Sequence, residues 1–452
     1  MHIHYNTNQT TLPLELTSCL PQDHIVFTIE KLVNELEENC FAGFYSTFGR
    51  ASYHPKLLLS ALLFAYTRGV FSGRKIEKLM LENMAMQYLT GQLVVSYRTI
   101  NRFRVAKGME DLIRDLFIEL TLRLKMEDLV SLDCLYIDGT KIEANANKYS
   151  FVWKKATAKF SAKLQTDLRR YFQEEVSPLI HEAIVLDEQE PVTALSQDIE
   201  EEPVKGQDTR KVKRRKLKKV LRKVKDDFSM RAEKYETYHS TFEGRNSFSK
   251  TDTDATFMRM KDDHMRNGQL KAGYNLQIAT ENQFVLHYDI FPNPTDTKTL
   301  IPLLDSYPHN LKRVVADAGS GSEENLTTLD KFGVEHLIKY SMFDKEQKRK
   351  QKQSPKNLDN WLYDDVSDTY THPDGWDYHF ESIKHSRTAT GFQQDIRVYQ
   401  ADYPDLAPQK CLYVNQRYQE LKRKESQALL SEEGGRIFAQ RKVDVWNLAL
   451  AR

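Results

Sequence analysis

The hydrophobic period changes once, near residue 128, and that change divides what the chain can fold into. From Pro55 to about Gly108 apolar residues recur at helical spacing: Leu58, Leu62, Leu63 and Tyr66, then Ile76, Leu79 and Met80, then Ile100 and Phe103. From Leu129 to Ala146 the period is two, with Val130, Leu132, Cys134 and Tyr136 alternating with Ser131, Asp133, Leu135 and Ile137 before Asp138-Gly139. The latter reads as a strand that runs into a tight Asp-Gly turn and resumes at Lys141-Ile142-Glu143. The expected fold class is therefore α/β with an all-α N-terminal domain, and 452 residues leave room for about two or three domains.

Lys plus Arg number 65 and Asp plus Glu 64, so the net charge of +1 says nothing about a partner. The distribution says more. An acidic stretch, Asp187 to Pro203, is followed by Lys205 to Lys225, which holds 12 Lys and Arg against one Asp. Lys213, Arg214 and Arg215 sit in the middle of that run and are candidates for phosphate contact; a solvated helix face has the same composition. Cys19, Cys40, Cys134 and Cys411 have no C-x-x-C spacing, which argues against a disulfide framework or structural zinc and for a reducing cytoplasm. The longest apolar run, Leu57 to Tyr66, is about half the roughly 20 residues that span a bilayer, and Met1-His2-Ile3-His4 lacks an export pattern. Neither membrane nor export is expected.

Ser96-Tyr97-Arg98-Thr99-Ile100-Asn101-Arg102-Phe103-Arg104 offers Ser96 as a helix N-cap, buries Ile100 and Phe103, and turns Arg98, Asn101, Arg102 and Arg104 outward. Short helices ending in such a segment have the form of a helix-turn-helix. Arg and Asn pair bidentately with guanine and adenine edges, although a plain basic face is patterned alike. Further on, Gly273 to Thr280 and Phe284 to Ile290 form a hairpin with a turn at Glu281-Asn282, and a helix is expected near Lys298 to Ser306. Lys312 to Asp317 is a short buried strand ending in a carboxylate, and Ala318 to Asn325 opens a helix. Tyr340 to Asp405 reads as β-rich. Asp138 and Asp317, 179 residues apart, both stand at expected strand exits, where α/β sheets gather ligands. Two such carboxylates suffice to frame a metal-assisted phosphoryl transfer.

Gly49 to Pro55, Ser72 to Glu77 and Thr99 to Arg104 resemble the amino-terminal DNA-binding domain of bacterial insertion-sequence transposases. Tyr136 to Ala146, Gly273 to Thr280 and Ala316 to Gly319 resemble the DDE catalytic domain that follows it in those proteins. The resemblance implies a ribonuclease-H-like mixed-sheet core interrupted by a charged helical insertion and a β-rich insertion. It implies a DNA-binding domain at 1–125, the catalytic core at 126–152 and 246–345, insertions at 153–245 and 346–410, and a C-terminal helix at 411–452. It further implies that Asp138 and Asp317 are the first two of three acids, that the third is a Glu on a late helix, and that two Mg²⁺ (or Mn²⁺) ions are held, Asp138 bridging both. Double-stranded DNA, as terminal inverted repeats and target, would be the partner, and a homodimer on DNA the assembly, in a cytoplasmic, nucleoid-associated protein. Arg74, Lys75 and Lys141 lie in matching motifs and join the candidate DNA contacts; Asp254 and Lys271 read as local structure or DNA contacts.

The departure from the family comes at the end. Ser431 to Val445 follows the family's last helix, which should continue Glu-Pro-x-Phe-Gly, but the chain reads Trp446-Asn447-Leu448-Ala449-Leu450-Ala451-Arg452. Because Trp is TGG and Asn begins AA, the frame starting at the third base of the Trp codon reads GAA, a Glu codon. A frameshift at or just before Trp446 is the expectation, with the third acid lost and Asp444, Glu433 and Glu432 as weak substitutes. The chain is then either an active transposase or a catalytically inactive DNA-binding protein or repressor; a ribonuclease-H-like nuclease without transposition is a third reading.

Overall fold

The computed structural model describes residues 16–45, 52–177, 215, 218–220, 222–260 and 268–450, and of residues 176 and 446–450 the backbone alone. The chain divides into two compact units, Met1–Ser131 and Leu132–Arg452.

The first unit is helical: α1 (Ile25–Glu35), α2 (Pro55–Thr67), α3 (Gly73–Glu82), α4 (Met84–Thr90), α5 (Tyr97–Arg104) and α6 (Met109–Met126). Helix α2 begins where His54 Nδ1 accepts the Lys56 N–H at 3.1 Å and Pro55 fills the first helical position. It carries the long apolar run, and Leu58, Leu59, Ala61, Leu62, Phe64 and Ala65 bury it on most sides, so the run is the central helix of this unit's core. Val26, Ile29 and Val33 of α1, Ile76 and Met80 of α3, Ile100 and Phe103 of α5, and Leu112 and Leu116 of α6 close around it. Ser96 caps α5 by accepting the Arg98 N–H, as its sequence predicts.

The second unit is α/β. Its main sheet contains β1 (Cys134–Glu143), β4 (Thr256–Arg259), β5 (Leu270–Glu281), β6 (Phe284–Phe291), β7 (Arg313–Ala316) and β8 (Glu335–Ile338). The order is β4-β5-β1-β7-β8, with β6 following β4 along the same outer edge of β5. Strand β1 is antiparallel to β5, with Asp138 opposite Ile278, and parallel to β7, with Tyr136 opposite Val315; β7 is parallel to β8. The sheet is thus mixed. A small ribbon of β2 (Phe151–Trp153) and β3 (Ser247–Ser249) brackets a helical stretch, of which α7 (Lys154–Tyr171) and α8 (Met230–Phe242) are the long described helices. Helix α9 (Leu300–Asp305) follows β6, and α10 (Glu323–Phe332) separates β7 from β8.

Between β8 and the last helices stands a five-stranded antiparallel sheet: β9 (Leu362–Asp364), β10 (Thr369–Thr371), β11 (Asp377–Arg387), β12 (Gln393–Ala401) and β13 (Cys411–Val414). Trp361, Tyr378, Tyr399, Ala401 and Val414 form its core. The stretch is β-rich, as its sequence reads, and the sheet reaches further than the sequence suggests, since Cys411–Val414 is a strand on β12 rather than the start of a helix. The C-terminal segment is two helices, α11 (Gln416–Leu430) and α12 (Glu432–Leu450), broken at Ser431, whose extended backbone ends the first.

Two local expectations are corrected. Asp138-Gly139 is no turn: both residues lie inside β1, paired with Ile278 and Gln277. Glycine is there because the Gln277 side chain occupies the space a Cβ would need. The β5–β6 turn is Asn282-Gln283, both at positive φ (50° and 68°), one residue later than Glu281-Asn282, because Glu281 still pairs with Phe284. Among the described residues no helix is long and apolar enough to cross a membrane. All four cysteines are free.

Candidate active site

The parallel register of β1 and β7 brings the two sequence-predicted aspartates together. Tyr136 lies opposite Val315, and Asp138 and Asp317 each follow two residues later, so they lie level on neighbouring strand tracks about 5 Å apart and on one face of the sheet. That face is the one on which Tyr136, Val315 and Leu337 pack with Leu429 of α11 and with Ile437, Phe438 and Val445 of α12. Arg441 is one helical turn beyond Ile437 and Phe438, and therefore points at the same sheet face. Its Nη2 donates to Asp138 Oδ1 at 2.7 Å and stands 3.9 Å from Asp317 Oδ2, while its Nε donates to the Ile137 carbonyl at 3.1 Å. Sequence reasoning missed Arg441; its three- and four-residue spacing from two core residues was the available signal.

Asp317 turns its other oxygen away, Oδ1 accepting the Gly319 N–H at 2.9 Å. A third carboxylate, Asp296, approaches from that side: a Cβ on Gly319 would lie 2.8 Å from Asp296 Oδ2 and 3.1 Å from Asp317 Oδ1. Asp296 Oδ1 accepts from Asn275 Nδ2 at 2.7 Å and Gln277 Nε2 at 2.8 Å, two buried amides at alternate positions on β5. Polar residues on the inward face of a strand were the clue to this network, which the sequence reading did not pursue. The loop after Asp317 is fixed from the far side too. Glu323, buried at the start of α10, accepts from Asn415 and Arg417 at 2.6 Å each and from Gln394 at 2.7 Å, tying the loop to the β-rich stretch and α11.

The weak substitutes for a third acid are not brought to Asp138 and Asp317. Asp444 is buried against the β5–β6 turn, with Gln440 Nε2 3.4 Å from Oδ1; burial pushes its carboxyl above the usual range, against hydrogen bonding from Gln440 and the Gln283 and Asn282 backbone. Glu432 and Glu433 stand at the start of α12, about two turns and 12 Å along the axis from Arg441. Among the described residues no group of three or more His, Cys, Asp or Glu gathers to hold a metal. Trp446 to Arg452, where the sequence departs from the family motif, lie outside the residues whose side chains are described. Cys134, near the same sheet face, is held as a thiol, since burial pushes its pKa up to about 11.

Of the candidate DNA contacts in the first unit, Arg98, Asn101 and Arg102 are exposed on α5. Tyr97 is flanked by the guanidinium groups of Arg74 (5.2 Å) and Arg98 (5.9 Å), and Lys75 is exposed beside Arg74 on α3. Arg104 is a correction: rather than pointing freely outward, it donates to the Phe71 carbonyl at 2.8 Å and lies over the Tyr66 ring, holding α5 to the loop after α2. Asn101, exposed as it is, also lies against Gly73, where a Cβ would stand 2.5 Å from its Oδ1. Lys141 is half-buried on β1, opposite Asn275. Lys271 pairs with Glu143 at 2.6 Å, and the Asp254 carbonyl accepts from buried Arg245 at 2.7 Å. Arg215 is exposed, whereas Lys213, Arg214 and most of the acidic and basic runs lie outside the described residues.

A helical first unit and a mixed α/β second unit with two aspartates level on adjacent strand tracks, Asp138 within β1 rather than at its expected exit and Asp317 just past the end of β7, define a two-part protein with a carboxylate centre. Residues 14–106 match the family model described as Transposase domain (DUF772), and residues 246–398 match that described as Transposase DDE domain. The chain belongs to the DDE transposases of insertion sequences. Asp317, Asp296 and the two amides fall within the second match, while Asp138 precedes it and owes its place to the pairing of β1 with β5 and β7. No curated protein and no solved structure matches the chain.

Proposed function

We propose that this transposase recognises the terminal inverted repeats of its own element through the first unit and cuts and rejoins phosphodiesters at Asp138 and Asp317. The observation that carries this reading is the level placement of those two carboxylates by the β1–β7 register. The sheet is of the ribonuclease-H-like kind: three antiparallel strands, β6-β5-β1, continue into parallel β7 and β8. Asp138 and Asp317 offer hard oxygen donors, and Mg²⁺ or Mn²⁺ needs only one or two carboxylates when substrate phosphates complete the shell, so the residues fit. A bound pair of ions would make an attacking oxygen nucleophilic and stabilise the leaving one. The protein's part is to hold the carboxylates in register, Asp317 by its bond to the Gly319 N–H and the loop by Glu323. Arg98, Asn101 and Arg102 would read base edges, with Arg74, Lys75, Lys141 and the 213–215 triplet at phosphates; two copies on DNA would bring the ends together.

A second reading has support of its own. With Asp444 turned to the β5–β6 turn and Glu432 and Glu433 two turns away, none of these three joins the pair, and among the described residues no group of three or more His, Cys, Asp or Glu gathers to hold a metal. On that reading the chain binds element ends without cutting them. Incubating the purified protein with an element-end duplex and Mg²⁺ or Mn²⁺ separates the two. Metal-dependent nicking abolished by Asp138→Asn and by Asp317→Asn supports the enzyme; a mobility shift without nicking supports the binding protein.

A further inference from the structure

We infer that Arg441 is the counter-ion of the aspartate pair and gives up its place when a divalent cation binds, so that cation loading and release of the guanidinium are one event. This rests on the reading of Asp138 and Asp317 as cation ligands. The guanidinium stands between the two carboxylates, 2.7 Å from Asp138 Oδ1 and 3.9 Å from Asp317 Oδ2. It brings one positive charge to a pair carrying two negative ones, and its side chain is only 16% exposed. A divalent cation on Asp138 would meet a fixed positive charge within a few ångströms.

The helix that carries Arg441 is clamped on both sides of it. Ile437 and Phe438 before it and Val445 after it are packed into the core with Tyr136 and Val315, and Asp444 is buried against the β5–β6 turn. The movable part is therefore the Arg441 side chain, whose hold on the sheet is the Asp138 bond and the Nε bond to the Ile137 carbonyl. Breaking both frees a long rotamer-rich side chain without disturbing α12.

The test is a calorimetric titration of the full chain with Mn²⁺, without DNA, for wild type, Arg441→Gln, Arg441→Lys and Asp138→Asn. Arg441→Gln should bind Mn²⁺ about tenfold more tightly than wild type, the effect of removing a unit charge beside a divalent ion, and Arg441→Lys should stay near wild type. Equal or weaker binding by Arg441→Gln, with Asp138→Asn still lowering affinity, overturns the counter-ion and leaves the metal site standing. Binding that Asp138→Asn does not change sinks the metal site, and the counter-ion with it. Should Arg441→Gln fail to fold, phenylglyoxal labelling of Arg441 in the wild type answers the same question by mass spectrometry. Labelling should rise as Mn²⁺ is added, and labelling unchanged at saturating Mn²⁺ overturns the inference.

Discussion

Gln277 stands where a side chain on Gly139 would have to be, so the residue next to the first aspartate is glycine for a packing reason and not for a turn. Gln277 Nε2 is committed to Asp296 Oδ1 at 2.8 Å and to Asn275 Oδ1 at 3.0 Å, and cannot step aside without giving up both bonds. Asp296 in turn borders the Gly319 loop that follows Asp317. One strand position thus couples the first aspartate to the loop that holds the second.

Gly139→Ala should therefore destabilise the protein by about 1–3 kcal/mol, the cost of broken buried hydrogen bonds, although alanine is otherwise tolerated in strands. Urea unfolding measures it. A loss below about 0.5 kcal/mol would mean that the amide network relaxes freely around the new methyl group.

The two arginines at the end of α5 should part company. Arg104→Ala removes the bond to the Phe71 carbonyl and the contact over Tyr66, and should cost about 1–2 kcal/mol of stability. Arg102→Ala touches an exposed position and should leave stability within about 0.5 kcal/mol while weakening binding to the element-end duplex by about 1–3 kcal/mol relative to unrelated DNA. Equal losses on both DNAs would make Arg102 a phosphate contact rather than a reader of bases.

Away from the aspartates, His336 of β8 is buried between Glu425 of α11 and Asp330 of α10, with Lys424 also on Asp330. Burial works to lower its pKa, but the hydrogen bonds and charges of Glu425 and Asp330 outweigh burial and raise it above the ordinary histidine value. A raised folded-state pKa contributes stability that is fully present below the unfolded value near 6.5 and is lost as pH rises through the folded one. Wild type should thus lose stability relative to His336→Gln as pH rises above the unfolded value near 6.5. A wild-type profile parallel to that of the variant would show that the imidazole does not change charge in this window. His336→Ala should cost about 3 kcal/mol near pH 6, since it strands the buried Glu425 carboxylate.

Much of this architecture is legible in the chain itself. The change of period near residue 128 separates the helical unit from the strand-bearing one because helix and strand bury their faces at different spacings, and Ser96, Ile100 and Phe103 behave as α5 requires. Asp317 is recognisable because a short apolar strand ends at it. Asp138 is misread locally, since Asp-Gly usually marks a turn and the reason for Gly139 is a side chain 138 residues away in sequence. Arg441 and the Asp296 network were invisible for the same reason: they acquire meaning only when the β1–β7 and β1–β5 registers bring distant residues together. Cys411–Val414 is not legible as a strand, because four residues carry too little periodicity to declare one.

Asp444 decides whether a substitute acid exists, and its surroundings give a prediction with a sign. Its carboxyl is raised chiefly by burial, with the nearby Glu281 charge acting in the same direction. For an acid with a raised folded-state pKa, the associated stability is fully present below the unfolded value near 3.9 and is lost as pH rises through the folded one, so ionised Asp444 is a burden at neutral pH. Asp444→Asn removes that burden while keeping the shape. The variant's stability relative to wild type should be higher at pH 7 than at about pH 4, and its Mn²⁺ affinity should equal that of wild type. Calorimetric unfolding at the two pH values and a Mn²⁺ titration measure both. If Asp444→Asn instead lost Mn²⁺ binding as Asp138→Asn does, α12 would have to turn Asp444 away from the β5–β6 turn and into the aspartate pair. Asp444 would then be the third acid, and the binding-only reading would fall.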